Sequence, residues 1–272
     1  MITDSFDTLR VDLSDGVALV TIDNPPINLF DRTLYPEMSR LSVLLRDDED
    51  VRAVVVCSAN PEFFIAHFDV SLILHLPQDS PTPTVLNDFH AMCENFRTMP
   101  KPTIAAISGR VGGGGSELAL SMDMRFASSN AIFNQPEVAL GILPGGSGTV
   151  RLPRLIGRSR ALEVVLGGQD IDALTAESWG WVNRVVSNPV EHAMILARRI
   201  ATFPPHAVRE AKASVLRSDA HVVEDLLEEA GGFNRLLGDP RAHLAMQNFM
   251  NRGGQTLDGE RQLGRLAGTI ND

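Results

Sequence analysis

Apolar residues recur at Leu34, Met38, Leu41 and Leu45, spacings of four, three and four that turn one face of a helix toward a core. Asp31 stands where the cap of that helix belongs. Ahead of it, strand-like runs at 8–12 and 17–23 flank Ser14-Asp15-Gly16, a hairpin signal. The short Val-rich run at 52–57 predicts a buried strand, and 103–108 predicts a second one leading into a glycine run. Between them the pattern predicts a loop at 61–69, a short helix at 70–76, a proline-rich mobile stretch at 77–83 and a helix at 84–98. Strand, helix, strand, loop, helix is the order of an α/β fold whose site lies at strand ends.

After Arg158 helical periodicity dominates, over 161–166, 173–179, 190–202, 206–216, 222–237 and 241–250, and only 182–186 reads as a strand. The expected organisation is an α/β core with the active site over 1–195, then a helical C-terminal region over 196–272. The polar, glycine-containing stretch 253–272 reads as a loosely held tail.

Composition narrows the function classes. With 272 residues, 44% of them hydrophobic, the chain can bury a full core. A formal net charge of −10 argues against nucleic acid or an anionic membrane as the main partner. Two cysteines, Cys57 and Cys93, imply no disulfide framework and point to a reducing compartment. The first residues, Met1 to Asp7, are acidic and lack the apolar stretch of a signal peptide, so the expected location is cytoplasmic. The histidines at 75, 90, 192, 206, 221 and 243 lack metal-ligand spacing and are expected on solvated helix faces, so no metal is expected. Trp179 and Trp181 are read as packing residues.

The chemistry concentrates in two glycine-rich settings. Gly112-Gly113-Gly114-Gly115-Ser116-Glu117 lets backbone N–H groups approach a ligand oxygen with no Cβ in the way, and a helix is expected to begin at Ser116. Asn134-Gln135-Pro136-Glu137, followed by glycines from Gly141 to Gly148, offers a second carboxyl. An oxyanion-holding turn beside two carboxyls is equipment for moving a proton at carbon next to a carbonyl. Taken singly, each glutamate also suits the first turn of a helix for structural reasons. The glycine run fails the dinucleotide pattern because Glu117 takes the place of its last glycine, and no phosphate-loop lysine follows. Ser116 and Ser147 lack the G-x-S-x-G frame of a serine hydrolase.

Seven ordered stretches resemble the crotonase superfamily, the enoyl-CoA hydratase/isomerase family. They are Asn24-Pro25-Pro26-Ile27-Asn28-Leu29, the Phe64-to-Asp69 loop, Lys101 to Gly109, the glycine run through Asp123, Phe133 to Glu137, Leu140 to Gly145, and Gly180 to Val186. The resemblance implies a crotonase-like spiral of ββα units with a helical C-terminal region used in assembly as a trimer or a dimer of trimers. It also implies an acyl-CoA thioester as ligand, with no cofactor beyond the coenzyme A that the substrate carries. Carried over by position, the oxyanion hole is the N–H pair of Phe68 and Gly114, and Pro26, Ile27 and Ala66 line the coenzyme A chain. Asp69 and Gly113 join the expected binding set. Phe249 and Arg252 fall at a terminal stretch that in the family approaches a neighbouring subunit's nucleotide.

His67 departs from the family, which has glycine there; it reads either as a packed or solvated loop residue or as a border of the acyl pocket. Members carrying both glutamates hydrate a 2-enoyl-CoA to a 3-hydroxyacyl-CoA. By that resemblance Glu117 activates the water, Glu137 protonates Cα, and the pair shares a proton near neutral pH. The alternatives are double-bond isomerisation, which needs one glutamate, or hydrolysis or dehalogenation through the same enolate. A non-catalytic scaffold or RNA-binding relative is opposed by the intact pair and the acidic charge.

Overall fold

The computed structural model describes residues 5–78 and 80–271. Its strands are β1 (Leu9–Ser14), β2 (Val17–Ile22), β3 (Ala53–Ser58), β4 (Phe63–Ile65), β5 (Thr103–Ile107), β6 (Arg110–Gly112), β7 (Met124–Ala127), β8 (Ile132–Asn134), β9 (Ile171–Asp172) and β10 (Arg184–Val185). The first helices are α1 (Leu34–Asp47), α2 (Val70–Ile73), α3 (Asp88–Thr98), α4 (Gly113–Ser121), α5 (Gly148–Ile156), α6 (Arg158–Gly167) and α7 (Ala173–Trp179). The remainder are α8 (Pro189–Ala201), α9 (Pro205–Leu216), α10 (Val222–Leu237), α11 (Pro240–Asn251), α12 (Leu257–Glu260) and α13 (Leu263–Ala267). A 3-10 turn covers Glu137–Leu140.

Two sheets form, ordered β1-β2-β3-β5-β7-β10 and β4-β6-β8-β9. Beyond the antiparallel β1–β2 hairpin, every pairing in the first sheet is parallel. Successive strands alternate between the sheets, β3 to β4, β5 to β6 and β7 to β8, so each passage advances one position in both. That is the expected spiral of ββα units. The central strands are buried on both faces, which is why they read as continuous apolar runs. Val54, Val56, Ala105 and Ile107 join the core that holds α1 and α3, while Ala53, Val55, Ile104 and Ala106 pack on Ala193, Met194 and Ala197 of α8.

The α1 stripe is buried as its spacing predicts, and Asp31 Oδ1 accepts from the N–H groups of Thr33 and Leu34 at 2.9 Å. Other expectations change. The helix expected over 84–98 starts at Asp88, where Asn87 caps it by accepting from the His90 N–H. In the 77–83 stretch Asp79 lies outside the described residues, and Asn234 donates to the Pro81 carbonyl at 3.1 Å. The division expected at 195/196 falls inside α8, which is continuous and packs on the first sheet. Over its described residues, 253–271, the tail is not loose: Glu260, Leu263 and Ile270 are fully buried, and Val70, Leu140, Phe249, Leu263 and Ile270 share one apolar cluster. No helix among the described residues is long and apolar enough to cross a membrane.

Candidate active site

The glycine run is itself the first turn of α4, three residues earlier than expected. Glycine is poor in a helix interior, but here its missing Cβ permits contact. A Cβ on Gly115 would sit 2.5 Å from the Ile65 carbonyl oxygen, and one on Gly113 would sit 2.8 Å from Glu137 Oε1. Gly113 also holds a left-handed φ of +43°. Packed this closely on β4 and the 66–68 loop, α4 presents the Gly114 N–H, one of the donors that a helix start leaves unpaired.

The opposing donor is fixed by a short bridge. Phe30 N–H donates to the His67 carbonyl at 3.0 Å and Asp69 N–H donates to the Phe30 carbonyl at 3.1 Å. The intervening Phe68 N–H, like that of Gly114, has no acceptor among the described residues. A Cβ built on Gly114 would lie 3.5 Å from Phe68 N, so the two donors are neighbours. Both residues line a cavity of about 440 Å³ together with Glu117, Glu137 and His67. Its wall carries Tyr35, Phe68 and Phe89 in mutual ring contact, joined by Phe233 and Phe249.

Glu117 lies one helical turn beyond Gly114, buried, with Oε1 accepting from Gly146 N–H at 2.8 Å and Gly148 N–H at 2.9 Å. Burial pushes its carboxyl well above the usual range; the charges of Glu137 and Glu229 add to this, and the two N–H donors oppose it. Glu137, half-buried at the start of the 3-10 turn, is pushed up to about 7 by burial. Its own backbone N–H and the charge of His67 pull against that, and Glu229 adds to it. Gln135 Nε2 reaches both Glu137 oxygens only at 3.4 Å.

His67 is packed and borders the cavity at once. Its Nδ1 is 2.7 Å from the Phe68 carbonyl and its Nε2 is 3.1 Å from Oε1 of Glu260, which is fully buried. A carbonyl and a carboxylate both require a donor, so both ring nitrogens carry hydrogen and the ring is a cation. Burial alone lowers the His67 pKa, yet the charge and hydrogen bond of Glu260 outweigh it and the net shift is upward. Burial likewise raises Glu260, and His67 overrules it downward. The histidine's contribution to stability is therefore complete below its unfolded value and lost as pH rises through the elevated folded one. The glutamate's is present above its unfolded value and lost as pH falls through the depressed folded one. His67→Leu, which strands a buried carboxylate, is expected to cost about 3–5 kcal/mol at neutral pH. In denaturant titrations across pH, the gap to the parent should shrink toward both extremes; a gap that ignores pH would refute the ion pair.

The other expected site residues divide. Gly113 is wedged between Glu137 and His67, and Phe249 lines the cavity with its ring edge-on to His67. Ile27 and Ala66 are buried in a separate cluster with Phe63, and Pro26 is exposed, its carbonyl accepting from Asn60. None of these three lines the cavity. Asp69 caps α2 through Ser71 N–H and accepts from Gln255 Nε2, so its carboxylate is engaged in holding the loop. Arg252 is exposed at the end of α11 and donates to the Thr269 carbonyl.

Sequence reasoning missed Glu229, Glu260 and His90. His90, expected on a solvated face, is fully buried with Nε2 3.3 Å from Glu229 Oε1. A charged residue on an apolar stripe was the available signal for Glu229, which falls between Leu226 and Phe233 on α10. Trp181 is buried as expected, and Trp179 is half-buried beneath the Arg160 guanidinium.

Known proteins resemble this chain in sequence and in fold. The enoyl-CoA hydratase/isomerase family pattern matches residues 12–252. A short-chain-enoyl-CoA hydratase of Clostridium acetobutylicum is 36% identical over 205 residues, covering 74% of this chain and 78% of its own. A probable enoyl-CoA hydratase of Mycobacterium bovis is 34% identical over 255 residues, covering 91% and 96%. Among solved structures, a candidate enoyl-CoA hydratase from Streptomyces avermitilis superposes with a TM-score of 0.87 at 36% identity, covering 98% of this chain and 99% of its own. With the family pattern running from the first hairpin to the end of α11, the chain belongs to the enoyl-CoA hydratase/isomerase family, the crotonase superfamily.

Proposed function

We propose that this enzyme adds water across the double bond of a 2-enoyl-CoA to give a 3-hydroxyacyl-CoA. The observation that carries the reading is one cavity bordered by two carboxyls, Glu117 and Glu137, and by the unpaired N–H groups of Phe68 and Gly114. The thioester oxygen sits between the two N–H groups, which stabilise the negative charge as water attacks Cβ. Two donors already hold Glu117 Oε1; they oppose the upward push of burial on this carboxyl and leave Oε2 to take the proton of water. Glu137, with only long contacts from Gln135, holds the pair's proton and delivers it to Cα. Water supplies a hydroxyl to Cβ, the proton at Cα balances it, and the thioester bond stays intact. Proton transfers and addition are the whole reaction, so these four groups suffice for it.

The test is to add a short 2-enoyl-CoA, follow the loss of conjugated-thioester absorbance and identify the product by mass. A gain of one water supports the reading; a product of unchanged mass would replace it with isomerisation. Support for an oligomer comes from α9, which has no buried residue and leaves Val215 70% exposed near its C-terminal end, with Phe203 exposed just ahead of its start. We infer a trimer or dimer of trimers, in which Arg252, Pro26, Ile27 and Ala66 meet coenzyme A; light scattering that finds an active monomer would refute it. Free, buried Cys57 and Cys93 accord with a cytoplasmic location, which fractionation of the source cell would check.

A further inference from the structure

The turn from Gly146 to Thr149 holds two carboxylates at once, with alternating N–H groups. Gly146 and Gly148 donate to Glu117 Oε1 at 2.8 and 2.9 Å, while Ser147 donates to Glu229 Oε1 at 2.6 Å and Thr149 to Glu229 Oε2 at 2.9 Å. The Thr149 hydroxyl and His90 Nε2 complete the Glu229 shell. Ser147 sits at a left-handed φ of +104°, a conformation a serine rarely adopts unless its surroundings impose it. The turn is also the start of α5, where backbone donors favour negative charge. Glu229 comes from α10, in the C-terminal region, and its side chain is almost fully buried.

We propose that Glu229 is a positioning residue: it anchors the 146–149 turn from the side opposite Glu117 and places a fixed negative charge behind the Glu117–Glu137 pair. Removing it would free the turn and let Glu117 drift, because the N–H groups that aim Glu117 are interleaved with those Glu229 holds. Its charge has a separate effect, making ionisation of both neighbouring carboxyls harder. Glu229 is faced by His90 from α3, Glu117 from α4 and Glu137 from the 3-10 turn, with the His67–Glu260 pair beyond Glu137. The arginines of α5 turn elsewhere, Arg151 to Glu94 and Arg154 to Asp225. The C-terminal region would thereby help set both the aim and the ionisation of the site.

This inference rests on Glu117 and Glu137 being the reacting pair. Glu229→Gln, nearly isosteric, is expected to lower kcat roughly 10- to 100-fold, as a small misplacement of a catalytic group does, with KM little changed. It should also move the acid limb of the pH–kcat profile to lower pH, since a carboxyl relieved of a neighbouring negative charge ionises more readily. The ¹³C NMR titration of glutamate carboxyls in the ligand-free protein should move the same way; this arm needs no substrate, so it stands apart from any failure to hydrate enoyl thioesters. Glu229→Asp keeps the charge but shortens the reach, so it should lower kcat while leaving the limb in place, and it carries the test if the Gln variant does not fold. Unchanged kcat in either variant overturns the proposal. So does a Glu229→Gln protein that loses activity with its carboxyl titration unmoved, which would make Glu229 a packing residue only.

Discussion

Glu117→Gln and Glu137→Gln are each expected to lower kcat by at least roughly 10²-fold while coenzyme A thioester binding is retained, the loss that follows removal of a positioned acid or base. The geometry makes this a clean test at position 117. A glutamine oxygen can still accept from the Gly146 and Gly148 N–H groups, so the side chain keeps its place. The amide at the other branch cannot take a proton from water. At position 137 the amide likewise has no acidic proton to give Cα. Stability should move the other way, because Glu117 is buried beside the charges of Glu137 and Glu229, and a neutral isostere relieves that repulsion. Thermal midpoints equal to or above the parent, with turnover lost, would mark the glutamate as kept for chemistry at a cost in stability. The double variant should be little worse than either single one, since the two act on one water and one enolate. Near-parental turnover in either single variant would sink the assignment.

What the sequence made legible was local, and what it hid was assembled from a distance. The 34, 38, 41, 45 stripe needed only the helical period to predict a buried face, and α1 buries those four residues. The two glutamates were legible because each lies in a dense local motif. The start of α4 was misplaced because helix propensity counts against glycine, whereas the close approach of Gly113 to Glu137 and of Gly115 to Ile65 leaves no room for a Cβ. No local pattern could pair His67 with Glu260, which is 193 residues away, or His90 with Glu229, 139 residues away. The stretch 253–272 looked like solvent-facing tail because its polar residues outnumber its apolar ones. Glu260 is buried there because His67 and the Gln255 N–H both meet its Oε1.

Gly114→Pro is expected to cost about 2.7–4 kcal/mol of transition-state stabilisation, a fall of roughly 10²- to 10³-fold in kcat, as losing one oxyanion donor does. Proline at this place tests the donor more than the fold. Gly114 is the second residue of α4, within the first helical turn, where proline is tolerated because the missing N–H has no partner inside the helix. Gly114→Ala is the companion, keeping the N–H and adding only a Cβ. That Cβ would sit 3.3 Å from Phe68 Cβ and 3.4 Å from Phe89 Cζ; a small shift of the Phe89 ring relieves the second contact, and the first asks Phe68 to give by a few tenths of an ångström. The alanine variant should therefore lose far less than the proline variant if the N–H is what matters, and as much if space is what matters. Gly113 offers no such comparison, since its left-handed φ and its contact with Glu137 would make any side chain disrupt the turn itself. Circular dichroism and thermal midpoints close to the parent's confine the reading to the site. A folded Gly114→Pro enzyme with full activity would remove the Gly114 donor from the mechanism and leave the Phe68 N–H to carry the charge alone.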